Sequence, residues 1–93
     1  MDTLSQIAEK IIAAQETIMG PLAIEQAKKV SGLQVDWSKH EVKLQGNEKN
    51  VLDSLVKRYE LLFGRASIEV CKHAVKSLLP QLPKDQLPSS LAS

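Results

Sequence analysis

The residues with the greatest chemical reactivity in this chain are its single cysteine, Cys71, and its two histidines, His40 and His73. A thiolate beside an imidazole could form a nucleophilic pair or ligate a metal ion such as Zn²⁺. However, Cys71 and His73 are two positions apart, which on a helix separates them by roughly 200°. Only a coincidence of tertiary structure would bring His40 to them. We therefore expect no metal site and interpret Cys71 as a small core residue.

Two glutamates, Glu16 and Glu60, each lie four residues before a glycine, near the end of a predicted helix. The helix dipole disfavours a carboxylate at that end. One hypothesis is that each carboxylate accepts hydrogen bonds from free N–H groups of the next helix; the alternative is that both are solvated. No partner for acid–base chemistry accompanies them, so we predict no catalytic residue and no enzyme. Neither a P-loop nor a dinucleotide-binding fingerprint is present, and we expect no cofactor.

Three basic residues, Arg65, Lys72 and Lys76, share one face of a predicted helix. Such a face could contact a phosphate backbone, with this helix acting as a recognition helix. Glu69 lies four positions after Arg65, a spacing that is also typical of a solvated face with ion pairs along it. Binding of nucleic acid is therefore an alternative function and not the leading one.

Composition limits the classes of function. The 93 residues include 12 basic and 11 acidic side chains, for a formal net charge of +1. This balance leaves no large excess of positive charge that would attract nucleic acid or an anionic membrane. No apolar run approaches the ~20 residues that span a bilayer, and no signal peptide is recognisable. The single cysteine fits a reducing compartment, so we expect a cytoplasmic protein.

Residues 7–30 and 51–74 match one another at an offset of 44 positions. The identical pairs are Glu16/Glu60, Gly20/Gly64, Ile24/Ile68, Glu25/Glu69 and Lys28/Lys72. Apolar positions around the shared glycine also match. Because one such unit cannot bury its apolar face alone, this pattern predicts two helix–Gly–helix units that pack on each other.

The predicted fold is mainly α, with four helices in two duplicated helix–Gly–helix units. A single domain would cover residues 1–79, with its units at 3–32 and 47–79. The connecting segment 33–46 would be a short β-hairpin or a loop. Residues 80–93 contain three prolines, which exclude a continuous helix, and we expect them to form a flexible tail.

Two glycines are expected to interrupt the helices. Gly20 is followed by Pro21, and glycine at a helix end before proline at the next helix start is a common arrangement. Gly64 repeats the break, but Arg65 stands where the first unit has proline. The third and fourth helices are therefore either separate or merged into one bent rod.

The connecting segment has the alternation of a β-hairpin. Apolar and polar residues alternate over 33–37 and again over 41–45, which predicts two short strands joined near 38–40. The alternative is an irregular loop that buries Trp37. Asn47 is a plausible N-cap for the third helix.

The apolar faces of the first and third helices are wider than one packing seam. Leu61, Leu62 and Phe63 follow one another, so they cannot all face the same neighbouring helix. The predicted interaction surface consists of Ile11, Ile18, Met19, Leu61 and Phe63. With a thin core and little charge repulsion, this surface favours a homodimer. In the alternative, the hairpin and tail cover these side chains. The leading functional prediction is a non-enzymatic protein–protein interaction or oligomerisation module.

Overall fold

The computed structural model describes residues 3–82 and residue 91. In this part of the chain the helices and strands are α1 (Thr3–Met19), α2 (Leu22–Lys28), β1 (Leu33–Asp36), β2 (Glu41–Leu44), α3 (Glu48–Phe63) and α4 (Arg65–Val75). Two short 3₁₀ helices cover Trp37–Lys39 and Leu79–Gln81. The prediction of a mainly helical fold with four helices is confirmed, and the connecting segment is a hairpin.

The two predicted helix breaks are present. Gly20 and Gly64 have φ angles of +63° and +75°, in a backbone region that favours glycine because other residues clash there. Since Gly64 separates α3 from α4, the alternative of one bent rod is wrong. The fourth helix ends at Val75, four residues before the end of the predicted unit 47–79.

The third helix begins at the predicted cap. The Asn47 side-chain oxygen accepts a hydrogen bond from the Asn50 backbone N–H at 3.1 Å. Glu48 lies in the first turn, where a negative charge is favourable to the helix dipole. These two features explain why α3 starts directly after the hairpin.

The hairpin is antiparallel, with Leu33 opposite Leu44 and Val35 opposite Val42. Leu33 and Val42 are buried, so this face of the hairpin lies on the helices. Trp37 does not continue the first strand as its alternation predicts. Instead it begins the 3₁₀ turn, is half-buried against the core, and has its ring centroid 4.6 Å from that of His40.

The core is aliphatic and lies between the helices, with α1 contacting all three of the others. The fully buried side chains of α1 and α3 are Ile7, Ala8, Ile11, Ile12, Gln15, Leu52, Leu55, Val56 and Tyr59. Each buried Leu or Ile contributes about 1.5–3 kcal/mol relative to an exposed one, so these two helices supply most of the apolar stabilisation.

The predicted flexible tail lies largely outside the described residues. Pro80 forms part of the 3₁₀ helix Leu79–Gln81, and Leu91 is buried in the core. Among the helices of the described ranges, none combines the length and apolarity needed to cross a membrane.

Candidate interaction surface at the helix corners

Two long-range hydrogen bonds hold the helix corners together. The Gln15 amide on α1 donates from Nε2 to the main-chain oxygen of Ser67 on α4, at 3.1 Å. The Tyr59 hydroxyl on α3 donates to the main-chain oxygen of Ala23 on α2, at 2.7 Å. The first bond joins the helix that precedes Gly20 to the helix that follows Gly64. The second joins the helix that precedes Gly64 to the helix that follows Gly20. The α1–α2 and α3–α4 corners therefore lie side by side.

The large apolar side chains that the described structure leaves exposed all lie at these corners. They are Ile18 (53% exposed), Leu22 (37%), Leu61 (86%), Leu62 (44%) and Phe63 (45%), and we call them the corner surface. Every one is within three residues of Gly20 or Gly64. The helix breaks explain this placement, because a side chain next to a break lacks one of the neighbouring turns that would cover it inside a helix.

The corner surface overlaps the predicted interaction surface but does not equal it. Ile18, Leu61 and Phe63 are exposed as the prediction requires. Met19 is half-buried against the core. Ile11 is fully buried, so its inclusion was wrong: it lies about two and a half turns before Gly20, inside the helix packing. Leu22, which the predicted surface does not include, is also exposed.

The cysteine is part of the core, as predicted, and not of a reactive site. Cys71 is fully buried, and its Sγ lies 3.3 Å from Gln15 Nε2. Burial raises the pKa of the thiol to about 11, which keeps it protonated and weakly nucleophilic near neutral pH. His73 is exposed on another face of α4. Within the described ranges, no three His, Cys, Asp or Glu side chains gather into a possible metal site.

Gln15 is unusual among the buried polar side chains. Its Oε1 atom is buried and has no hydrogen-bond partner within the described residues. An unsatisfied buried acceptor costs about 1–3 kcal/mol, so the α1–α4 contact is less favourable than its apolar burial alone implies. Tyr59, by contrast, has its hydroxyl satisfied by Ala23.

The glutamates before the two glycines do not cap the next helices in the described structure. The hydrogen bonds at these breaks run from the N–H of Gly20 and of Gly64 to the main-chain oxygens of Glu16 and Glu60. Neither α2 nor α4 has a side-chain cap hydrogen bond at its first turn. The capping hypothesis therefore has no supporting hydrogen bond among the described residues, although both glutamates are half-buried and not fully solvated.

The basic residues of α4 share their surroundings with acidic ones. An open cleft of about 250 Å³ at the α3–α4 corner is lined by Glu60, Arg65, Ile68, Glu69 and Lys72. Lys72 Nζ lies 3.7 Å from Glu69 Oε1. Two carboxylates beside the basic groups lower the attraction for phosphate, so the nucleic-acid alternative gains no support from this surface. Lys76 is exposed beyond the cleft.

No known protein family matches the chain, and comparisons with characterised proteins and with solved structures found no significant similarity.

Proposed function

We propose that the protein is a non-enzymatic protein–protein interaction or oligomerisation module that acts as a homodimer through its corner surface. The observation that carries this proposal is the clustering of exposed apolar side chains, Ile18 and Leu22 at one corner and Leu61, Leu62 and Phe63 at the other. Large exposed apolar patches on small proteins are typical of contact sites, since burying them on association lowers the free energy.

The strongest single contributor is expected to be Leu61, which is 86% exposed. Burying a leucine side chain is worth about 1.5–3 kcal/mol. Phe63 adds an aromatic surface, and aromatic side chains are enriched in the centres of protein interfaces. Together they give the third helix an apolar end that is costly to leave in water.

A second copy of the chain is the partner that best fits this surface. A twofold interface brings the same patch of each subunit together, and an apolar patch meets itself without charge repulsion. The formal net charge of +1 adds little repulsion between copies. The lone buried cysteine is consistent with a reducing compartment, and a cytoplasmic location is part of the proposal.

The experiment compares Leu61→Asp with Ser54→Asp by sedimentation equilibrium. Ser54 is exposed on the same helix and lies seven residues before Leu61, so it is on the same helix face. Ser54→Asp therefore adds the same negative charge to α3, but outside the corner surface. We expect Leu61→Asp to raise the dimer Kd about tenfold or more, because a charge must then be desolvated at the contact. Ser54→Asp should leave Kd unchanged. Equal effects of the two substitutions, or no dimer in the unsubstituted protein, would reject the proposal.

A further inference from the structure

We propose that two copies of the chain exchange their fourth helices, so that α4 of each copy packs on α1 of the other, with Gly64 as the hinge. This inference rests on the proposed function, because it takes the partner to be a second copy. In the exchanged dimer, α3 and α4 of each copy join into one continuous helix. The α1–α4 contacts of the single chain are then made between α4 of one copy and α1 of the other.

Gly64 has the properties of a hinge. It is the one residue between the end of α3 at Phe63 and the start of α4 at Arg65. Its φ of +75° and ψ of −164° belong to a region that only glycine adopts readily. A single change of this residue to helical angles would align the two helices. Among the described residues, no atom beyond its chain neighbours lies within 4 Å of the position of a Cβ at Gly64, so an added side chain meets no steric obstacle there.

The residue after the hinge permits a continuous helix. Arg65 is a good helix former and has a backbone N–H for the helical hydrogen-bond ladder. At the other corner, Pro21 follows Gly20, and proline in a helix interior would clash with the preceding turn and lack that N–H. The chain can therefore straighten at the α3–α4 corner but not at the α1–α2 corner.

The side chains that the fourth helix itself buries are small. Its buried residues are Ser67, Cys71 and Val75, none of them large. The α1–α4 contact also contains Gln15 Oε1, which has no hydrogen-bond partner in the described part of the chain. Release of α4 also separates the apolar residues that follow it, such as Leu78, from the core, and the exchanged dimer restores these contacts between copies.

The surroundings of the hinge also fit an exchange. The cleft at the α3–α4 corner, lined in part by Glu60, Ile68 and Lys72, is open, so the inner side of the bend is not filled. Leu61 and Phe63 lie directly before the hinge and are exposed in the single chain. In an exchanged dimer the two hinge segments lie beside one another, and these apolar side chains would become covered there.

Three substitutions separate exchange from simple surface contact. Arg65→Pro is compatible with the bend, since proline is accepted at the first position of a helix, but it forbids the continuous helix. Gly64→Ala disfavours the bend and favours the continuous helix. Gly20→Ala is the control, because it also places a Cβ at a positive φ, +63°, but Pro21 prevents straightening there.

The readout is the dimer Kd by sedimentation equilibrium together with the rate of subunit exchange between isotopically labelled and unlabelled protein. We expect Gly64→Ala to lower Kd about tenfold or more, because alanine stabilises the continuous helix at both hinges of the dimer. Arg65→Pro should raise Kd by a similar factor and speed subunit exchange. Gly20→Ala should leave Kd within about threefold of that of the unsubstituted protein. Circular dichroism verifies that each variant retains its helices.

Two outcomes would overturn the inference. If Arg65→Pro and Gly64→Ala both retain the Kd and exchange rate of the unsubstituted dimer, α4 does not exchange. If Leu61→Asp still disrupts that dimer, the proposed function stands while exchange alone fails. If the unsubstituted protein and Gly64→Ala are both monomeric at every concentration, exchange and the proposed function fail together.

Discussion

Gln15 and Tyr59 are 44 positions apart and donate equivalent hydrogen bonds in opposite directions across the helix core. Their acceptors, the main-chain oxygens of Ser67 and Ala23, are also 44 positions apart. Two copies of one unit related by an approximate twofold axis would produce this reciprocity. It supports the proposal of a duplicated helix–Gly–helix unit and explains why the two corners meet.

The two bonds are predicted to contribute unequally to stability. Tyr59→Phe removes a short buried hydrogen bond from an otherwise satisfied pair, and we expect it to lower the free energy of unfolding by about 1–1.5 kcal/mol. Gln15→Met has a similar volume and removes the unpartnered Oε1 together with the bond to Ser67. The lost hydrogen bond destabilises the fold, and removal of the buried unpaired oxygen stabilises it. Because these two effects offset one another, we expect the free energy of unfolding to change by less than about 0.5 kcal/mol. Urea denaturation followed by circular dichroism measures both.

The ranking of these variants is the decisive part of that measurement. A larger loss for Gln15→Met than for Tyr59→Phe would mean that Gln15 Oε1 is satisfied in solution, for example by a buried water. The α1–α4 contact would then be stronger than its described hydrogen bonds indicate.

Stability should fall at alkaline pH. Burial raises the pKa of Cys71 from 9.0 to about 11 and also raises the pKa of Tyr59. Above about pH 9 the unfolded thiol loses its proton while the folded thiol retains it, so the unfolded state is favoured increasingly up to about pH 11. We expect the Cys71 contribution at about pH 10.5 to be a loss of about 2 kcal/mol.

The test compares urea midpoints at about pH 8 and about pH 10.5 for the unsubstituted protein and for Cys71→Ala. Cys71→Ala should show a smaller alkaline loss, because only the other groups with a raised pKa, Tyr59 and Lys57, still contribute. An identical alkaline loss in both proteins would show that the Cys71 thiol ionises as readily in the folded as in the unfolded chain.

The start of α3 depends on one side chain. Asn47→Ala removes the acceptor for the Asn50 N–H and should cost about 1 kcal/mol, or about 5 °C in Tm. Asn50→Ala is the control, because Asn50 is exposed and contributes its backbone N–H to the cap. We expect its Tm to be unchanged or slightly higher, since alanine favours helix. Equal losses of Tm in thermal unfolding would show that the cap does not stabilise α3.

Local signals in the sequence predicted the elements well. Glycine at positions 20 and 64 indicates breaks where the backbone takes a positive φ. Asn47 is a residue type that caps helices, and period-two alternation of apolar residues indicates the hairpin. Each of these features depends on neighbours within a few residues, so each is readable without tertiary structure. Trp37 departs from its strand pattern because the chain must turn there to pair Asp36 with Glu41.

The exposed surface could be predicted only in part. Ile11 and Ile18 have the same side chain and both fit the apolar pattern of α1, yet one is buried and the other 53% exposed. Which of the two is covered depends on how α2 and α4 pack on α1. The apolar periodicity of α1 places Gln15 on the inward face, but its contacts with Ser67 and Cys71 join positions more than 50 apart, which no local signal predicts.

The measurement that tests the central claim most directly is the solution mass of the unsubstituted protein across a concentration series, by light scattering after gel filtration. The proposed homodimer predicts a mass of twice the 10.3 kDa chain, maintained over the upper part of the series. A mass of 10.3 kDa at every concentration would contradict it, because the corner surface would then remain in water.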